Sequence, residues 1–259
     1  MGNIFNEFKK QVGYVNVTNQ YIEMMVRTWV NEYSGLSIEE ESRKVGLKVA
    51  KVPEDLSARI SRQYIVNIHS CVEEFLMNFK DLPGTPTHSR IYDARYNKSR
   101  LRWTVEQCFT YIDDDVKELI NICEYYRLMR NRIVHGQGKH EGEIKIIKSS
   151  IKMTSDDLIT KVYGKLQVLN DLDKICFDDQ VLFSRAAVYL AERIYQDSQY
   201  DWNIILSENK REIEKIVSSV ANNKQKMKKK IKKYISETYY ISNEELLDNE
   251  LIDFIGAFA

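Results

Sequence analysis

Apolar residues along this chain recur at intervals of three and four far more often than they alternate, the spacing that gathers side chains on one side of an α-helix. Residues 3–33 read as one amphipathic helix, with Phe8, Val12, Val15, Ile22, Met25, Val26 and Trp29 as packing positions. Ser37 to Glu40 has the form of a capping box that opens a short second helix. Pro53 is placed to begin a third at N1 or just before it, and from Glu54 to about Leu82 the stripe runs through Ile60, Tyr64, Ile68, Cys71, Phe75 and Phe79. Leu82 to His88, with Pro83, Gly84 and Pro86, is the strongest loop signal in the chain.

After a helical stretch from Trp103 to Tyr111, a long run goes from about Ile112 to His135. Leu119, Ile122, Cys123, Tyr126, Met129, Ile133 and Val134 share its broad apolar side, and Gly136-Gln137-Gly138 stops it as a glycine C-cap would. Asp113, Asp114 and Asp115 read as first-turn acids favoured by the helix dipole rather than as metal ligands, because consecutive helical residues diverge by about 100°. Glu143 to Ser149 suggests a short strand or extended arm. Thr154 or Ser155 is suited to cap a helix toward Leu169, and Asp178 or Asp179 to open another through Ile194. Residues 207–221 give one more helix. Lys224 to Ile235 is a basic amphipathic helix whose stripe is Met227, Ile231, Tyr234 and Ile235, followed by an acidic stretch from Asn243 to Asp253 and an apolar end.

Composition supports this reading. Ten glycines and three prolines in 259 residues, with 29% charged residues, favour long helices over strands and turns. The length suits one large core, or one domain with an appendage: N-terminal helices over 1–52, a central bundle over 53–200 and a helical appendage over 201–259. Lysine plus arginine equals aspartate plus glutamate, so attraction to nucleic acid has to come from local patches. Cys71, Cys108, Cys123 and Cys176 lack paired metal-ligand spacing and read as core residues of a reducing compartment. His88 and His140 are too isolated to propose as zinc ligands, and no metal or other cofactor is expected. With no transmembrane run and no signal peptide, a cytoplasmic protein is expected, with no membrane partner.

One position breaks the pattern. Arg130 points toward the apolar side of its helix, where a guanidinium cannot lose its charge and needs a partner. Asn131 and His135 stand four apart and are able to touch, and His135 lies in the last turn, where the dipole favours imidazolium. An imidazole so placed can titrate near neutrality and move protons. The competing explanation is an interface arginine beside a C-capping histidine.

Arg130-Asn131-x-x-x-His135, with Ile133-Val134 before the histidine and Gly136 after it, resembles the Arg-x4–6-His motif of the HEPN superfamily. The resemblance covers roughly residues 55–200 and is specific only across Arg130 to Gly136. It implies an all-α, HEPN-like helical bundle with additional N- and C-terminal helices, usually dimeric. It also implies a metal-independent endoribonuclease for single-stranded or looped RNA, in which the ribose 2′-OH attacks the adjacent phosphate. His135 would be the general acid or base, Arg130 the phosphate-binding group and Asn131 the residue that orients His135. Glu73 or Glu74, on the helix expected to face the motif, would support Arg130. On an ideal helix Arg130 and His135 diverge by about 140°, which suggests that the helix ends early or that a second protomer completes a composite site. By analogy the family suggests a toxin or phage-defence role, restrained by a cognate antitoxin or regulatory protein. A non-catalytic HEPN-like dimerisation or partner-binding module and an unrelated helical adaptor are the other readings.

The segment before the motif helices suits such a substrate. Arg90, Arg95, Lys98, Arg100 and Arg102 surround Tyr92, Tyr96 and Trp103, so that cations can meet phosphates while rings stack on bases. The alternative is a surface loop whose rings pack back on the core.

Overall fold

The computed structural model describes residues 4–32, 37–49, 51–95, 99–136, 140–220 and 223–239. Among them every regular element is a helix, so the chain is all-α as its spacing predicts. In order these are α1 (Ile4–Glu32), α2 (Ile38–Lys44), α3 (Leu56–Asp81), α4 (Arg100–Cys108), α5 (Asp114–His135) and α6 (Glu141–Ser150). They continue with α7 (Asp156–Leu158), which runs into a π-helical turn (Ile159–Tyr163), then α8 (Phe177–Asp197), α9 (Trp202–Glu208), α10 (Lys210–Ser218) and α11 (Lys224–Tyr239). No described helix is long and apolar enough to cross a membrane.

The chain clusters into two compact units. One draws on the described residues of Met1–Lys10, Cys71–Ile120 and Val188–Ala259, the other on those of Gln11–Ser70 and Asn121–Ala187. The first is built on aromatic packing. Tyr195 of α8 lies 5.1 Å from Phe79 and 5.9 Å from Phe5, and Phe8 lies 4.8 Å from Phe75. Such ring pairs add about 0.5–1.5 kcal/mol each beyond their burial. In this unit α11 buries Met227, Ile231, Ile235 and Tyr239, a strict four-residue stripe, and Tyr234 and Tyr239 both bond Asn209 at 2.9 Å. Gly84 turns the loop after α3 with φ +76°, and its carbonyl accepts the Asp201 amide at 2.8 Å.

In the second unit Tyr126 stacks on Phe183 at 5.1 Å, and the Tyr126 hydroxyl donates to Asp179 at 2.8 Å. Asp179 is fully buried and its carboxylate also accepts from the Asn170 amide (3.1 Å), the Asn170 side chain (2.9 Å) and the Cys176 amide (3.0 Å). A buried carboxylate is tolerated only when its lone pairs are filled in this way. The same aspartate thus caps α8 and fixes the preceding loop. Burial beside that charge pushes the Tyr126 phenol well above its ordinary range.

Four local expectations are corrected. Glu143 to Ser149 is not a strand but lies within α6. Ile144 and Ile146 alternate as in a strand, yet Ile144 is buried while Ile146 is 70% exposed, and Lys145 pairs with Glu141 at 3.0 Å one turn back. The helix expected to run toward Leu169 stops at Gly164 (φ +57°), with Ser155 as its cap. Ser37 stands at the N-cap of α2 but makes no side-chain capping bond. Pro53 precedes α3 by three residues, its carbonyl accepting from the Leu56 amide. The stretch 207–221 is covered in part by α10, and the acidic stretch and apolar end lie outside the described residues.

Candidate active site

α5 is set up at its start by Asp113, whose carboxylate caps the Val116 amide at 2.7 Å and holds Arg193 at 2.8 Å. The capping role accounts for one of the three clustered acids, while Asp114 and Asp115 occupy the first turn. From Leu119 to Met129 the helix is buried on nearly every side, including Leu119, Ile122, Tyr125, Tyr126 and Leu128. It then emerges: Arg130 to Ile133 are half-buried and Val134, His135 and Gly136 are exposed. Gly136 closes it at φ +99° with its amide on the Arg132 carbonyl at 3.2 Å, a conformation that favours glycine. The motif therefore occupies the turn and a half where a core helix meets solvent.

Two arginines on this helix have opposite surroundings. Arg127 is neutralised by Glu124, a carboxylate 2% exposed, through contacts of 2.9 and 3.0 Å. Arg130 has no carboxylate at ion-pair distance among the described residues. Its Nη1 donates to the Asn131 side-chain oxygen at 3.2 Å and lies 3.5 Å from His135 Nε2, and its Nε is buried with no hydrogen-bond partner. Arg132 Nε is likewise buried and unpartnered. The helix thus delivers an unneutralised guanidinium beside an exposed imidazole.

A second histidine feels the charge of the motif arginine. His69 of α3 is buried, and burial together with the charges of Arg130 and Arg127 pushes its imidazole down to about 4. It is a neutral ring at pH 7. Its surroundings include the motif arginine as well as Arg127.

The helix does not end before His135, and Arg130 nonetheless reaches it. The arginine side chain is long enough to lie along the helix surface, so the 140° between the two Cβ directions does not separate the functional groups. Asn131 meets the arginine, not the histidine: its side-chain oxygen accepts from Arg130. Glu73 lies 3.4 Å from Arg100, and Glu74 is exposed. Both carboxylates belong to the other compact unit.

The basic and aromatic segment is largely engaged with itself. Tyr92 packs edge-on to Trp103 at 5.7 Å, Arg100 sits over the Tyr92 ring at 4.8 Å, and Trp103 is 7% exposed. Arg95 pairs with Asp93 at 2.7 Å and Arg90 bonds Gln107. Arg102 lies in the first turn of α4, its amide donating to the Ser99 hydroxyl at 3.0 Å. Tyr96 and Lys98 lie outside the described residues. Cation and ring are brought together here, with the ring faces turned to protein neighbours.

Sequence reading missed the Asp179 knot and the Arg127–Glu124 pair. A buried acid leaves no mark on helical spacing beyond an acidic first turn, so only the second had a signal, the three-residue interval between opposite charges. No family model matches the chain, and no curated protein or solved structure gives a significant match to it.

Proposed function

We propose that the protein is a metal-independent endoribonuclease acting on single-stranded or looped RNA. The observation that carries this reading is the approach of Arg130 to His135, with the guanidinium lacking a carboxylate and the imidazole open to solvent. A cation left unneutralised at the edge of a core is a receptor for an anion, and a phosphodiester suits a planar fork of N–H donors. An imidazole within 3.5 Å of that fork is close enough to serve the same phosphate.

In the reaction His135 takes the proton from a ribose 2′-OH as its oxygen bonds to phosphorus, or gives one to the departing 5′-oxygen. The P–O5′ bond breaks, leaving a 2′,3′-cyclic phosphate and a 5′-OH. Arg130 offsets the charge that grows on the non-bridging oxygens. Asn131 holds the guanidinium in place by its side-chain oxygen, and His69, neutral at pH 7, adds no charge of its own near it. Because both groups meet within one chain, a composite site from two protomers is not required for them to share a phosphate. The resemblance of Arg130 to Gly136 to the HEPN motif supports the same chemistry, and with it a toxin or defence role under an antitoxin or similar regulator.

The test is incubation of purified protein with RNA in excess EDTA, followed by mapping of the product ends. Cyclic phosphate and 5′-hydroxyl ends that vanish with His135→Ala support the reading, and 3′-hydroxyl ends or unchanged cleavage in the variant refute it.

A further inference from the structure

Helix α1 carries an apolar strip that is open among the described residues. Tyr14, Val17, Tyr21, Met24 and Met25 are exposed by between 52% and 77%. Between Lys10 and Arg27 the only acidic or basic residue is Glu23, and it is buried, bonded to Arg27 at 2.8 Å. The solvent side of this stretch therefore carries no charge over about 25 Å of helix. Surface helices ordinarily carry charged residues there. Leu47, 58% exposed, adds to the open apolar surface of this unit. At roughly 150–200 Å² for a large apolar side chain, these exposures amount to on the order of 600 Å² per protomer. One side of a standard interface contributes about 800 Å².

The spacing indicates what covers the strip. Tyr14, Val17, Tyr21 and Met24 follow intervals of three, four and three, which read the same in both directions. Two copies laid antiparallel, with residue 19 level with residue 19 of the other, put Tyr14 opposite Met24 and Val17 opposite Tyr21 at both ends. The same register puts Gly13 opposite Met25. A Cβ built on Gly13 would meet nothing within 4 Å, so no part of the chain requires a glycine at that helical position. It forms a notch, and the antiparallel register sets a flexible methionine into it. A parallel pairing would set notch against notch.

We infer that α1 is a homodimerisation helix, pairing antiparallel with α1 of a second copy through Tyr14, Val17, Tyr21, Met24 and the Gly13 notch. The contact is isologous, as a two-fold dimer requires, and it is independent of the chemistry at Arg130.

The experiment is sedimentation equilibrium of the full chain and of two variants, Val17→Glu and Tyr21→Lys, with circular dichroism to confirm that each remains folded. The wild type sediments as a dimer at tens of micromolar, and each variant alone as a monomer. Because position 17 of one copy faces position 21 of the other, an equimolar mixture of the two variants regains the dimer by at least tenfold in association constant. A monomeric wild type overturns the inference, whether or not α1 then binds a different protein or a lipid surface. So does a dimer that survives both substitutions, or a mixture that stays monomeric. If the variants do not fold, mixing Val17→Cys protein with Tyr21→Cys protein gives the same answer: a 17–21 disulfide supports the register, and only 17–17 and 21–21 links refute it.

Discussion

Arg130 Nη1 and His135 Nε2 stand 3.5 Å apart although five residues of helix separate them. The helical wheel places their Cβ atoms on different sides. The reach of the arginine side chain brings the nitrogens together where α5 leaves the core. The positive charge at this spot has no carboxylate at ion-pair distance among the described residues, and that distinguishes it from Arg127 three residues earlier.

Asn131 supplies a first check. Its side-chain oxygen accepts from Arg130 at 3.2 Å. A hydrogen bond of this kind contributes about 0.5–1.5 kcal/mol, so Asn131→Ala lowers single-turnover RNA cleavage by about 2–10-fold. Asn131→Asp places a carboxylate against the guanidinium and competes with the phosphate, so it lowers cleavage and RNA binding further than the alanine does. An aspartate variant as active as wild type would show that the charge of Arg130 is not used.

His69 gives the fold a pH dependence. Its imidazole is held at about 4 in the folded state, against 6.5 ordinarily, by burial and by Arg130 and Arg127. As pH falls from 6.5 to 4 the unfolded chain takes up a proton that the folded chain refuses. The stability contribution is therefore complete above pH 6.5 and is lost on acidification, by about 2–3 kcal/mol. Urea unfolding at pH 7.5 and 4.5 measures the slope, and His69→Gln flattens it.

Asp179 holds the loop before α8 through three hydrogen bonds and ties it to Tyr126 of α5 by another. Asp179→Ala leaves the buried Tyr126 hydroxyl and two half-buried backbone amides without this acceptor, at a cost of about 3–5 kcal/mol. Tyr126→Phe removes one donor to a charged acceptor and costs about 1–2 kcal/mol. Chemical denaturation of both variants reads the ratio.

Gly84 combines a positive φ with close approach. An added Cβ would lie 2.4 Å from Ile205 Cγ1 and 2.8 Å from the Asp201 carbonyl. Gly84→Ala therefore strains the turn and pushes α9 outward, destabilising by about 2–4 kcal/mol. Thermal unfolding checks it.

Much of this architecture was legible before any coordinates. Spacing placed the motif helix at Ile112 to His135 against the observed Asp114–His135, and predicted Met227, Ile231 and Ile235 of the buried stripe of α11, with half-buried Tyr234 in place of Tyr239. Those elements bury one continuous face, so packing and pattern carry the same information. Pattern failed where burial is divided. Ile144 and Ile146 alternate, and only tertiary contact decides which is covered. Met25 fits the packing stripe of α1 but is 58% exposed, because a long helix carries apolar residues on a second face. In the site, spacing put Arg130, Asn131 and His135 together at the end of one helix but paired Asn131 with His135, where the structure pairs it with Arg130. Side-chain reach, unlike Cβ direction, is not encoded in periodicity.

The central claim is that one guanidinium and one imidazole act on a single phosphodiester. It is tested most directly by RNA cleavage in EDTA with wild type, Arg130→Ala, His135→Ala and the double variant, each verified as folded. The account predicts loss of about 10²–10⁴-fold for His135→Ala, a comparable loss for Arg130→Ala, and a double variant scarcely worse than either, since the two groups serve one step. Full cleavage by either single variant, or cleavage that chelation abolishes, would contradict it.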